Sequence, residues 1–217
     1  MALALYSHPF SSYCQKVLIA LWENEIEFTY RHLEEEGVSA ELGKLWPIGR
    51  FPVLVDGGRT ITESSIIIEY LDTRHQGAVS LLPSDPDDAL EVRFMDRFFD
   101  NYVMAAMQAP VFESVREDGT RIDAAMAGAR SALDTAYAWL EQRLSGRTWA
   151  AGASFSMADC AAAPSLFYAD WVHQIGEAFP LVRAYRTRLL GRSSFARAVE
   201  EARPYRSYFP LGAPDRD

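Results

Sequence analysis

Acidic and hydroxyl side chains at one predicted helix start are the residues of this sequence best suited to chemistry. Glu63, Ser64 and Ser65 follow a short predicted strand and precede apolar residues at helical spacing. The N-terminus of a helix carries free backbone N–H groups, and a hydroxyl beside them makes a site for a small anion. The same residues are also compatible with an ordinary helix that Ser64 or Ser65 caps.

A proline and a glycine turn lead into this helix start. Pro52 cannot donate a backbone N–H, so we expect it to open the strand Val53–Val55 and not to lie inside it. The next four residues, Asp-Gly-Gly-Arg, predict a hairpin turn in which glycines supply positive φ angles. Arg59–Thr62 is then the returning strand.

A second pair of hydroxyl residues lies near the N-terminus. Ser11 and Ser12 end a turn-rich segment and directly precede the predicted helix Tyr13–Trp22. Both serines could simply cap that helix, or one could donate a hydrogen bond to a ligand at its N-terminus. Tyr6 lies inside the first predicted strand, which favours a packing role. Cys14 lies a turn into the helix, where we expect it to be shielded.

The order of predicted elements divides the chain into two units. The strand Leu3–Tyr6, a helix and the strand 28–33 form a βαβ unit, and the hairpin with its helix adds ββα. Residues 1–78 therefore have a thioredoxin-like α+β layout. Residues 79–86, in a stretch rich in Gly, Pro, Ser and Asp, form the linker. Residues 87–217 are helical in pattern and predict an all-helical C-terminal domain.

Caps and prolines locate the helices of this second unit. Asp85 precedes a proline and predicts the start of a long helix that ends near Val115 and is interrupted or bent near Pro110. A second helix is predicted over Ile122–Leu144. Further helices are predicted to begin at Ser156, with a capping-box pattern, at Pro180 and at Ser194.

Composition and charge exclude several classes of protein. The 217 residues carry a net charge of −9, which argues against a nucleic-acid surface. No apolar run approaches the roughly 18 residues that span a bilayer, and the first residues do not resemble a signal peptide. Cys14 and Cys160 are far apart, so we expect a reduced cytoplasmic protein without disulfides. No His, Cys, Asp and Glu cluster has the spacing of a metal site.

These motifs together resemble the soluble glutathione transferases, in particular the serine-type theta- and zeta-like members of bacterial style. The resemblance covers nearly the whole chain. It implies a transferase that activates the thiol of its co-substrate glutathione for attack on an apolar electrophile. A glutathione-dependent isomerase or peroxidase and a non-catalytic glutathione- or ligand-binding scaffold are the alternatives, and thiol-disulfide exchange through Cys14 is weaker.

The resemblance also implies how glutathione is held. Phe51 would pair its backbone with the cysteinyl part, next to a cis Pro52, and Glu63 with Ser64 would bind the γ-glutamyl end. The glycine carboxylate would meet a basic residue, for which the candidates are Arg50, Lys44 and His8. Trp46-Pro47 stands where the family usually has Asn-Pro.

Activation of the thiol is assigned to the first loop. A free thiol has a pKa of about 8.5, so it is mostly protonated at neutral pH. Ser11 would donate a hydrogen bond to the sulfur and favour the thiolate, with Ser12 as the alternative donor.

The electrophile would bind between this loop and the long helix. Candidate pocket residues are Phe10, Tyr102, Met104, Met107 and Phe112, each of which could equally be a core residue. Asp96 and Arg97 are further candidates on the same helix. The resemblance also implies a homodimer, with the long helix as one interface.

Overall fold

A four-stranded sheet forms the centre of the first unit. The computed structural model describes residues 3–116 and 121–217. The strands are β1 (Leu3–Ser7), β2 (Phe28–His32), β3 (Val53–Asp56) and β4 (Arg59–Thr62), in the order β2-β1-β3-β4. β1 pairs parallel with β2 and antiparallel with β3, and β3 pairs antiparallel with β4. This is the thioredoxin-like layout expected from the sequence.

Three helices complete this unit. They are α1 (Ser12–Glu23), α2 (Val38–Leu45) and α3 (Ser64–Arg74). α1 buries an apolar stripe that includes Val17, Leu18 and Leu21, and α3 buries Ile67 and Ile68. These residues join the buried strand residues in one core, which fixes the N-termini of α1 and α3 relative to the sheet.

The predicted long helix is interrupted earlier than expected. It starts as α4 (Pro86–Phe98) with Asp85 as its N-cap, passes through the π-helical segment Phe99–Met104, and continues as α5 (Ala105–Ser114). Pro110 lies inside α5, so the helix is not interrupted at this proline. A π-helical segment adds a residue per turn and re-aims the side chains that follow it.

In the described part of the chain, four more helices follow, and one of them is buried among the others. They are α6 (Ile122–Arg143), α7 (Met157–Val172), α8 (Pro180–Leu190) and α9 (Ser193–Ala202), followed by the 3₁₀ segment Arg203–Tyr208. Almost every residue of the Ala-rich α7 is buried. The predicted capping box is confirmed, because Ser156 and Asp159 exchange side-chain and backbone hydrogen bonds at the start of α7.

Within the described residues, the structure contains no helix that is both long enough and apolar enough to cross a membrane.

Candidate active site

A cleft of about 720 Å³ lies where the loop before α1, the start of α3 and the α4–α5 helix face one another. Its polar lining from the sheet unit consists of Ser11, Ser12, Arg50, Glu63, Ser64 and Ser65. The helical unit adds Arg97, Asp100, Asn101 and Gln108. The fold therefore brings both predicted helix starts to one cleft.

Ser11 occupies the N-cap position of α1 and lines the cleft. Its backbone is extended, with φ −82° and ψ 122°, and its Oγ accepts the Cys14 N–H at 3.4 Å. Because the hydroxyl accepts in this bond, its proton can point either to the nearby Cys14 thiol or to a ligand. The first turn of α1 holds no acidic side chain, so the positive end of the helix is not neutralised. Ser12, the first residue of α1, also lines the cleft and is largely buried.

The peptide bond between Phe51 and Pro52 is cis, as the resemblance implied. Both residues line the cleft at the start of β3. The exposed Phe51 thus lies next to the start of β3, where an extended peptide in the cleft can reach it.

The start of α3 differs in detail from the prediction. Glu63 is the N-cap residue, with φ 67° and ψ 118°, and its side chain makes no cap hydrogen bond. The prediction that Ser64 or Ser65 caps the helix is therefore wrong, since both lie within its first turn. A positive φ is unusual for a residue with a side chain and suggests a functional constraint. The exposed Glu63 carboxylate and the α3 N-terminus both face the cleft.

The two serines of α3 have different partners. Ser65 donates to Asp96 Oδ2 at 2.7 Å and accepts from Lys16 Nζ at 2.9 Å. Within the described residues, the Ser64 hydroxyl has no side-chain partner. Ser64 is therefore the serine left for a ligand.

A buried charge cluster lies under this end of the cleft. Lys16 Nζ is 2.6 Å from Asp96 Oδ1 and 2.8 Å from Asp100 Oδ2, and all three residues are buried. Burial raises the pKa of the Asp100 carboxyl, although the Lys16 ammonium opposes the shift. Arg97 pairs with Asp96 at 3.2 Å and is half exposed towards the cleft. Sequence reasoning found Asp96 and Arg97 but missed Lys16, because its partners are distant in the chain.

The three basic residues that were candidates to bind the glycine carboxylate differ in whether they line the cleft. Arg50 lines the cleft and is exposed, and Trp46 lies beside it in the lining. Lys44 is exposed in the last turn of α2 and does not line the cleft. His8 points to Glu34 and is absent from the cleft lining. The geometry favours Arg50.

The apolar part of the cleft includes only some of the predicted pocket residues. Phe10, Met107 and Phe112 line it. Tyr102 does not, because its exposed ring packs against Phe98 on another face of the helix, 5.8 Å between centroids. Met104 does not either, because it is 1% exposed in the core. The sequence missed the remaining apolar and aromatic lining residues, which are Tyr13, Val111, Tyr168, Tyr208, Phe209 and Pro210.

Three other titratable residues lie near the loop, and two of them are unsuited to activating a thiol. The Tyr6 hydroxyl donates to Glu41 at 3.0 Å outside the cleft, and burial raises its pKa. Cys14 is fully buried, and burial raises the pKa of its thiol, which argues against thiol-disulfide exchange. Tyr13 lines the cleft, and burial raises its pKa to about 12, so its phenol stays protonated and is a further hydroxyl donor besides Ser11 and Ser12.

Two protein-family models match successive parts of the chain. Residues 5–78 match the N-terminal domain of glutathione S-transferase, and residues 123–188 match its C-terminal domain. Together the two matches span more than half of the chain.

Individual proteins are similar over most of the chain. It is 27% identical over 206 residues to glutathione S-transferase U7 of Arabidopsis thaliana, covering 91% of this chain and 85% of the relative. The chain is also 24% identical over 204 residues to the stringent starvation protein A homolog of Haemophilus influenzae, and this match covers 93% of this chain and 92% of the relative. A solved glutathione S-transferase from Methylobacillus flagellatus KT, with GSH bound, has a TM-score of 0.79 at 26% identity, covering 91% of this chain and 98% of that one. None of these three names specifies a theta- or zeta-like class.

Proposed function

Because this chain belongs to the glutathione S-transferase family, we propose that it binds reduced glutathione in the cleft and activates its thiol for attack on an apolar electrophile. The single observation that carries the proposal is the convergence of Ser11, the Phe51–Pro52 backbone and Glu63 with Ser64 on one cleft. We infer that residues 1–78 form the domain that binds glutathione and that residues 87–217 form the helical domain that contributes the electrophile site. Residues 79–86 link the two domains.

Each part of glutathione has a partner of matching chemistry. The Phe51 backbone pairs with the cysteinyl residue beside Pro52. Glu63 meets the ammonium of the γ-glutamyl end, while the Ser64 hydroxyl and the α3 N-terminus meet its carboxylate. Arg50 meets the glycine carboxylate.

The thiol then lies at the N-terminus of α1. Ser11 donates a hydrogen bond to the sulfur, and the helix dipole favours the thiolate over the thiol, whose proton passes to the solvent. This assigns the chain to the serine-type members of the family, with Ser12 as the alternative donor. Holding the thiolate beside an electrophile supplies the rest of the rate enhancement.

The electrophile binds against the apolar wall. Phe10, Met107 and Phe112 provide surface for an apolar or aromatic group next to the sulfur. We also propose a cytoplasmic homodimer, in which the exposed aromatic surface of Phe94 and Tyr102 is covered by the second copy.

The test combines binding with turnover. Wild type is expected to bind immobilised glutathione and to conjugate it to an aryl halide. Ser11→Ala should still bind, with kcat/KM about 100-fold lower, the size expected for removing one donor to a developing anion. Ser12→Ala is the matched comparison, because it removes the neighbouring hydroxyl from the same cleft; a larger loss there would reassign the donor.

A non-catalytic scaffold is the second candidate. The similarity to the stringent starvation protein A homolog, whose name is not that of a transferase, is the observation that favours it. Glutathione binding without turnover of any electrophile, and unchanged by Ser11→Ala, would support the scaffold.

A further inference from the structure

His8 holds the loop before Ser11 at three points. Its carbonyl accepts the Ser11 N–H at 3.0 Å, and its own N–H donates to Cys14 Sγ at 3.4 Å. Its Nδ1 accepts the Phe10 N–H at 3.2 Å, and its side chain is only 12% exposed. Because Phe10 and Ser11 both line the cleft, the position of His8 determines how the loop presents them.

The other ring nitrogen joins this loop to the C-terminal segment. His8 Nε2 lies 3.2 Å from Glu34 Oε1, which also accepts the Tyr208 hydroxyl at 2.9 Å. The Tyr205 ring packs edge-on against the His8 ring, 4.6 Å between centroids. Tyr208 in turn lines the cleft, so His8 lies between the loop of Ser11 and the wall on the electrophile side.

The neighbouring His32 raises the question of a metal site. The donor atoms of His8, His32 and Glu34 lie within 4.8 Å of one another. However, His32 Nδ1 accepts the Glu34 N–H at 3.2 Å, just as His8 Nδ1 accepts the Phe10 N–H. Each neutral ring therefore carries its proton on Nε2, the nitrogen that a metal would need. These hydrogen bonds favour an Nε2–H group on each ring that donates to a neighbouring side chain, and they disfavour a metal ion bound at Nε2.

We propose that neutral His8 is a positioning residue for Ser11, holding Phe10 N–H through Nδ1 and Glu34 through Nε2–H. The proposal rests on the proposed function, in which Ser11 stabilises the glutathione thiolate. A small rotation of this loop moves the hydroxyl away from the sulfur, and misplacement of a reacting group by about 1 Å can cost on the order of 100-fold in rate.

Protonation of His8 breaks this arrangement. A proton on Nδ1 would face the Phe10 N–H, and the two donors repel. The groups that face His8 are Glu34, His32, Tyr205, Tyr208 and the Cys14 thiol. Burial lowers the pKa of His8, His32 adds to the shift and Glu34 opposes it. The ring is therefore neutral at pH 7, and the loop contact is lost only as the pH falls through that lowered value.

Three substitutions separate the contacts. His8→Leu keeps much of the volume but removes the acceptor for Phe10, and His8→Ala removes both acceptor and volume. His8→Asn restores an acceptor, because an asparagine side chain readily accepts the N–H two residues on, but it does not titrate. His75→Ala is the matched control, since His75 pairs with Asp56 at 2.8 Å away from the cleft.

The readouts are the pKa of the bound glutathione thiol, from thiolate absorbance, and the kcat and KM of conjugation. His8→Leu and His8→Ala should raise the thiol pKa and lower kcat about 10-fold or more, with KM for glutathione changed less than about 2-fold. His8→Asn should recover most of kcat. In the pH profile of kcat, this variant should no longer show the part of the decrease at low pH that comes from protonation of His8.

Two results would overturn the proposal, each distinct from a failure of the proposed function. The first is that folded His8→Leu has the same glutathione thiol pKa as wild type, although Ser11→Ala raises this pKa. The second is an equal loss in His8→Asn and His8→Leu, which would indicate a packing role only. If Ser11→Ala itself leaves the thiol pKa unchanged, the proposed function fails first.

Discussion

Single residues in the cleft differ in whether their polar groups already have partners. Ser65 is engaged by Lys16 and Asp96, whereas Ser11 accepts one backbone N–H and keeps its proton. Arg50 is exposed in the cleft lining, and Lys44 lies outside it. These contacts therefore distinguish residues of the same type that are free to bind a ligand from those that are already bonded within the protein.

Arg50→Ala should weaken the binding of glutathione about 10-fold, because a charge-assisted hydrogen bond to the glycine carboxylate is lost. The variant should bind γ-glutamylcysteine, which lacks that glycine, as well as wild type does. Titration calorimetry with both peptides measures the difference. Lys44→Ala is the matched control, and a preference for glutathione that survives in Arg50→Ala would contradict the assignment.

At the scale of elements, the cap of α7 is stronger than an ordinary cap. Asp159 is fully buried and accepts from Ala150 N–H at 2.9 Å, from Ser156 N–H at 2.9 Å and from the Tyr185 hydroxyl at 2.5 Å. This one carboxylate ties the start of α7 to the preceding loop and to α8. Because α7 packs against α1 and α4, its position affects both sides of the cleft.

Asp159→Ala should reduce the free energy of unfolding by about 3 kcal/mol, because several buried donors lose their acceptor. Asp85→Ala, which removes an exposed cap from α4, should cost only about 1 kcal/mol. Urea unfolding measures both values. Equal losses in the two variants would contradict the special role of the buried cap, and folded Asp159→Ala should keep its affinity for glutathione.

Local patterns predicted most elements but not the features that depend on distant contacts. The strands, the cis bond before Pro52 and the cap at Asp85 followed from residue type and family resemblance. The π-helical segment did not, because Phe99–Met104 has an ordinary helical pattern. The sequence pattern predicts Tyr102 and Met104 in the pocket, because it does not show the turn that re-aims their side chains.

At the scale of the whole molecule, the Lys16 cluster joins the two units. Lys16 belongs to α1, Ser65 to α3, and Asp96 with Asp100 to the helix of the second unit. A buried cation between two carboxylates is sensitive to the loss of any member, since an unpaired buried charge is costly.

Lys16→Met should lower the free energy of unfolding by about 3–5 kcal/mol at neutral pH. Without the ammonium, the pKa of Asp100, already raised by burial, rises further. The folded variant then binds more protons than the unfolded chain, so its deficit shrinks as the pH falls and grows as the pH rises. Urea unfolding at pH 5 and pH 8 measures this trend. Lys44→Met, an exposed lysine, is the control, and a deficit independent of pH would contradict the account.

The pKa of the glutathione thiol in the complex tests the central claim most directly. Thiolate absorbance, titrated with pH in wild type, Ser11→Ala and Ser12→Ala, gives this value. We expect wild type to hold the thiol pKa below the free value of about 8.5, and Ser11→Ala to return it by about 1–2 units towards that value. A wild-type thiol pKa equal to that of free glutathione, or a lowered value that persists without both serine hydroxyls, would contradict the assignment of thiol activation to this loop.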